Sequence, residues 1–265
     1  MKKVKIIVVI FNIFLFIFGS VMLTVGLVNG GTLLFNIDYF KHKVVTSYEA
    51  EYVTYEENVD EFKNFKLNID ASKIKIKTGD TYKVEYKTYE DERPEFEVKD
   101  GTLIINKDNH PDNHFGINTL NFNKNEDEII EITVPEKALL DNGTIEVNYG
   151  NILIDDLTIK ALNIDADASN IEFNSVEIAD LEIDSDYGDV DVSESRLDDA
   201  SISVDAGSVD LKLIGERADY KIDFDIDAGS AQIDGDHVEN NFKETNSNNK
   251  QLSVEIDAGS VSVEF

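Results

Sequence analysis

The stretch EIDSDYGDVDVSESRLDDASISVDAGSVDL (Glu182–Leu211) holds two copies of one phrase, each an alternating run, a bend at Gly188 or Gly207, and a second alternating run. Five more copies lie elsewhere. Taking the Gly or Ser at the bend as an index, the seven positions are Ser72, Gly150, Ser169, Gly188, Gly207, Gly229 and Gly259. From Gly150 the steps are 19, 19, 19, 22 and 30 residues. A period near 20 residues marks a solenoid, in which each unit buries its apolar face only against its neighbours.

The apolar positions fix the kind of solenoid. After Gly150 they fall at Ile152 and Ile154, Leu157 and Ile159, Leu162 and Ile164, and the pattern recurs from Ser169 and Gly188. Ser195 takes an otherwise apolar place. Each pair has period two, so both side chains share one face of a strand. A helix cannot hold these positions on one face at 3.6 residues per turn. The expected fold is all-β, a single-stranded β-solenoid (β-helix) with coils of 19–22 residues.

Outward from the repeat, the chain divides into segments. Residues 1–29 read as a short stub and a transmembrane anchor, 30–66 as a stalk, and 67–265 as the solenoid ectodomain. Within the ectodomain, 67–135 is an irregular first part and 136–265 carries the regular coils. Lys99-Asp100-Gly101 between two alternating runs predicts a hairpin, and residues 107–127, rich in Asn, Asp and Gly, read as a long loop. VSVEF (Val261–Phe265) would leave a bare strand edge unless a segment such as His237–Lys250 or a second subunit covers it.

Ile6–Val28 is an uncharged run preceded by Lys2, Lys3 and Lys5. As a helix it would span about 34 Å, enough to cross a hydrocarbon core of about 30 Å. Its length exceeds the apolar region of a cleaved signal peptide, and no A-x-A site follows. The basic flank orients the N-terminus to the cytoplasm. The expectation is a single-pass plasma-membrane protein with its C-terminal domain outside.

The 265-residue chain carries 54 acidic and 24 basic residues, a net charge of -30, which disfavours nucleic acid and anionic lipid surfaces. It favours cationic peptides or proteins, or divalent cations. There is no cysteine, hence no disulfide and no thiolate metal site.

Two residues before each index sits an acid or its amide: Asp70, Asn148, Asp167, Asp186, Asp205, Asp227 and Asp257. Stacking aligns them in a column, where like charges repel. One reading is an Asx turn, each side chain accepting a backbone N–H two residues on. The other is a Ca²⁺ ladder over Asp167, Asp186, Asp205, Asp227 and Asp257, although Ca²⁺ takes about 6–8 oxygens and one corner supplies few. His110 and His114 have the spacing of a zinc pair on a helix, but Pro111 lies between them in a loop segment. No nucleophile elbow, P-loop or dinucleotide fingerprint occurs. No catalytic residue and no cofactor are expected.

The phrases DAGSV (Asp205–Val209 and Asp257–Val261) and YGDVDV (Tyr187–Val192), with ITVP (Ile132–Pro135) opening the regular coils, resemble a bacterial domain-of-unknown-function family carrying the label "putative adhesin", which includes LiaG-like membrane-anchored β-solenoid proteins. The resemblance covers about residues 65–265. It implies a non-enzymatic surface protein that binds a partner or serves the cell-envelope stress response. The alternative kept open is a polysaccharide-active β-helix enzyme, which would need two carboxylates held in a cleft.

Overall fold

The computed structural model describes residues 15, 16, 18, 19, 36–38, 43–45, 52–89, 94–107, 128–246 and 250–265. It divides into two compact units, Met1–Glu49 with His110–Asn125, and Ala50–Asn109 with Glu126–Phe265. Of the first unit, the described parts are helical residues 15, 16, 18 and 19, and an antiparallel pair, β1 (Asn36–Asp38) and β2 (Lys43–Val45). The anchor expected over Ile6–Val28 lies, apart from those four helical residues, outside the described residues. Among the described residues no helix is long and apolar enough to cross a membrane.

The second unit is built from β3 (Tyr52–Asn58), β4 (Asn64–Gly79), β5 (Lys83–Tyr89), β6 (Glu95–Lys99), β7 (Thr102–Lys107), β8 (Ile129–Pro135), β9 (Leu139–Asp155), β10 (Thr158–Asn174), β11 (Glu177–Tyr187), β12 (Val190–Leu213), β13 (Tyr220–Ile233), β14 (Asp236–Val238), β15 (Lys243–Glu244) and β16 (Lys250–Glu264). The coils stack as parallel strands. Neighbouring copies pair in register, as in Ile145↔Ile164, Ile164↔Ile183 and Ile183↔Ile202. The columns Leu67, Ile145, Ile164, Ile183, Ile202, Val254, Phe224 and Ile74, Ile152, Ile171, Val190, Val209, Val261, Ala231 are all buried. They are the period-two pairs expected from the sequence.

Six aliphatic side chains buried per repeat contribute on the order of 10 kcal/mol, an upper estimate at about 1.5–3 kcal/mol each. A pair of exposed carboxylates one coil apart repels by somewhat under about 1 kcal/mol in water. Core burial therefore outweighs the acidic corners.

Ser195 is fully buried in the column of Leu157 and Val176 and is satisfied there. Its hydroxyl accepts the Val176 N–H (3.1 Å) and donates to the Ser193 carbonyl (2.7 Å). One further corner recurs at the same period: Asp156, Ser175 and Glu194 have φ of 58°, 54° and 49°.

The stacking order departs from chain order at both ends. β4 pairs with β9 on one side, and on its other side with β7 (Asn64–Ile69) and β8 (Lys73–Gly79). The coil of Ser72 thus lies directly on that of Gly150, and Asn148 Nδ2 donates to Asp70 Oδ1 at 2.9 Å. Strands β5 to β8, which lie between them in the chain, build a cap. β6 pairs antiparallel with β7 around Asp100 and Gly101, both at positive φ, which is the expected hairpin. β5 pairs antiparallel with β8 and with β3. ITVP therefore lies in the coil outside β4, not at the head of the regular run.

At the other end β16 inserts between β12 and β13, parallel to both. The order of indices along the stack is Ser72, Gly150, Ser169, Gly188, Gly207, Gly259, Gly229. VSVEF is therefore interior, correcting the expectation of a bare edge there. The outer edge belongs to β13, and β14 and β15 cover part of it by antiparallel pairing.

Candidate functional site

The corner at the index residue presents three outward columns, and a close approach of backbones sets its shape. A Cβ on Gly150, Gly188, Gly207, Gly259 or Gly229 would lie 2.0, 2.0, 1.9, 1.6 or 1.5 Å from the carbonyl oxygen of the index residue in the adjoining coil. Glycine is required there chiefly by contact. Only Gly150 (φ 150°) and Gly188 (φ 139°) also use the positive-φ region.

Two residues earlier stand Asp167, Asp186, Asp205, Asp257 and Asp227, all exposed and in that spatial order. None of the five makes the expected Asx-turn bond among the described residues. Capping runs between coils from the residue after the index. Asn170 Oδ1 accepts the Asp189 N–H (3.1 Å), and Asp189 Oδ1 accepts the Ser208 N–H (2.8 Å). Among the described residues, no group of three or more His, Asp and Glu is placed to hold a metal ion. His110 and His114 lie outside the described residues, and His237 is exposed on β14.

A second acidic column runs Glu146, Asp165, Asp184, four residues before the index. Burial raises the Asp165 carboxyl above the usual range, and Asp184, Asp167, Glu146 and Asp186 add to this. Asp191 is raised in the same way, by burial and then by Asp210, Asp189 and Glu172. Cations and amides offset part of the repulsion. Lys66 faces Glu146 (3.7 Å), Arg196 faces Glu177 (3.0 Å), and Asn163 donates to Glu182 (3.0 Å).

The third column, one residue before the index, reads Ala71, Tyr149, Ala168, Tyr187, Ala206, Ala258, Ala228 along the stack. Tyr149 and Tyr187 are 64% and 63% exposed. The repeat reading passed over this pair. The available signal was the two departures from an alanine column.

One cavity, about 800 Å³, is lined in part by Glu57, Glu95, Glu97 and Phe96. A second, about 460 Å³, includes Lys160, whose ammonium donates to Asp141 at 2.5 Å and lowers that carboxyl. Among the described residues neither brings a nucleophile to a base.

Parallel coils with an in-register apolar interior and glycine-pinched corners define a surface-rich β-solenoid with strand caps. The Toastrack DUF4097 family model matches residues 62–212 and 137–264, and the chain belongs to this family. No curated protein matches it. Among solved structures, it is similar to a "putative cell adhesion protein" from Clostridium sporogenes, 19% identical, covering 81% of this chain and 99% of that one, with a TM-score of 0.47. A "putative adhesin" from Bacteroides fragilis is 14% identical, with 80% and 97% covered and a TM-score of 0.42. Another from Parabacteroides distasonis is 12% identical, with 81% and 98% covered and a TM-score of 0.43.

Proposed function

We propose that this Toastrack protein is a non-enzymatic, membrane-anchored surface protein that binds cationic partners through the acidic corners of its solenoid. The observation that carries the reading is the register that holds Asp167, Asp186, Asp205, Asp257 and Asp227 in one exposed column, with Glu146, Asp165 and Asp184 beside it. A rigid ladder with a repeat of about 4.8 Å offers a dense, ordered negative field. The partner class is a basic peptide or protein, with divalent cations as bridging ions. In this reading Ile6–Val28 spans the plasma membrane with the N-terminus in the cytoplasm, so the solenoid faces the outside. A role in the cell-envelope stress response fits a stalked sensor of cationic molecules.

Two experiments test this. Binding of a basic probe such as oligolysine to the full-length chain is expected to weaken steeply as salt rises from 0.05 to about 0.5 M. Salt-independent binding would place the affinity in apolar contacts instead. Protease added to intact cells is expected to remove the solenoid; full protection would overturn the topology.

A further inference from the structure

Tyr149 and Tyr187 have no place in the logic of the fold. The same column position is alanine in the other five copies, so neither packing nor the corner requires an aromatic ring. Among the described residues from 52 onward they are the two most exposed large hydrophobic side chains. They stand two coils apart with Ala168 paired between them (Tyr149↔Ala168↔Tyr187). The small alanine leaves a saddle between two rings whose backbones are about 9.4–9.8 Å apart.

The surroundings select the occupant. Asn148, Asp167 and Asp186 flank the pair on one side, and Asn151, Asn170 and Asp189 on the other. No lysine or arginine sits among these positions. Exposed aromatic faces within an acidic frame suit a cation, which gains both from the ring quadrupole and from the carboxylates. A neutral glycan would use the rings and gain nothing from the charge. An anionic polymer would be repelled.

Resting on the proposed function, and naming its partner more closely, we propose that Tyr149 and Tyr187 form a two-point platform for a basic, extended peptide segment with a cationic side chain at every third residue. In a polyproline II segment, residues i and i+3 project from the same side and lie about 9.3 Å apart, matching two coils. A β-strand repeats its facing side chains at about 6.8 Å and would miss the second ring. Arginine is the better cation, because its planar guanidinium stacks on aromatic faces. The segment runs along the stack, crossing the coil of Ser169.

The test is fluorescence-anisotropy titration of the full-length chain with two labelled peptides of equal charge. One repeats Arg-Pro-Pro, with arginines at i and i+3; the other repeats Arg-Pro, with arginines at i and i+2. The first is expected to bind more tightly. Tyr149→Ala and Tyr187→Ala are each expected to weaken it about three- to tenfold, Tyr→Phe at either site to keep most of the affinity, and Ala206→Ser to change nothing. If both Ala variants bind like the unaltered chain while salt still abolishes binding, the platform is refuted and the acidic-surface reading stands. If no basic peptide binds at low salt, both are refuted. If the tyrosine variants lose affinity only for a neutral chitin oligosaccharide, the rings serve a glycan and the peptide assignment is overturned.

Discussion

Replacing Gly259 by alanine is the most direct test of the corner. A Cβ there would stand 1.6 Å from the Gly207 carbonyl oxygen and 2.8 Å from its carbon. An ordinary carbon–oxygen approach is about 3.3 Å, so the two coils must part by about 1.7 Å at this point. Ladder bonds of about 2.9 Å on either side cannot follow such an opening and remain hydrogen bonds. Losing or weakening two of them at a half-exposed corner, with the attendant overpacking, costs about 2–4 kcal/mol. β16 lies between two coils and has no free direction in which to retreat. Gly229, whose Cβ would meet the Gly259 oxygen at 1.5 Å, belongs to the outermost regular coil, which can swing outward. Gly229→Ala should therefore cost about half as much. Ser230→Ala, at an exposed neighbouring position, should fall within about 0.5 kcal/mol of the unaltered chain. Urea unfolding followed by far-ultraviolet circular dichroism would rank the three. If Gly259→Ala shifted the midpoint no more than Ser230→Ala, the coils would not be in the contact described.

Four further outcomes are expected. Lys107, buried, pairs with Glu128 and donates to Ser72 Oγ at 3.3 Å, so Lys107→Ala should destabilise by about 3–5 kcal/mol in thermal unfolding, with Lys107→Met/Glu128→Leu recovering much of the loss. Tyr220→Phe removes a buried hydroxyl that donates to the Leu197 carbonyl at 2.8 Å and should cost about 1–2 kcal/mol in the same assay. The carboxyls of Asp165 and Asp191 are raised in the folded chain, so between their unfolded and folded values the folded state binds more protons and stability rises as pH falls. Asp165→Asn should accordingly raise the thermal midpoint at pH 7 and flatten its rise as the pH falls toward the ordinary aspartate range. Glu244, lowered by Arg217 and then Asn246, works oppositely: its contribution is present above the ordinary glutamate range and is lost as pH falls through its folded value.

The coil interior was legible because every repeat copies it. The pairs Ile152/Ile154 and Ile171/Phe173 announce strands by alternation alone, and Gly188 to Gly207 gives the period. The order of coils was not legible. In-register coils are near-equivalent partners, and nothing local to β16 says that it docks on β12 rather than beyond β13. The clue lay in the longer steps of 22 and 30 residues, which leave room for the chain to double back. The contact of Asn148 with Asp70, 78 residues apart, is of the same non-local kind. At the corner, Gly and Asp were visible, but the part glycine plays at Gly207, Gly229 and Gly259 was not, because backbone contact between coils has no signature in a single copy. The tyrosine pair was visible only as an exception to alanine.

The insertion of β16 between β12 and β13 carries a consequence for biogenesis. During synthesis β13 emerges before the strand on which it rests, and β12 meanwhile offers a bare parallel edge. Both edges stay open until residues 250–264 arrive and slot between them, like a keystone set after the arch. A chain interrupted before that point carries two sticky surfaces and tends to join its neighbours edge to edge. Closure and solubility are thereby coupled: the stack closes only once β16 is in place.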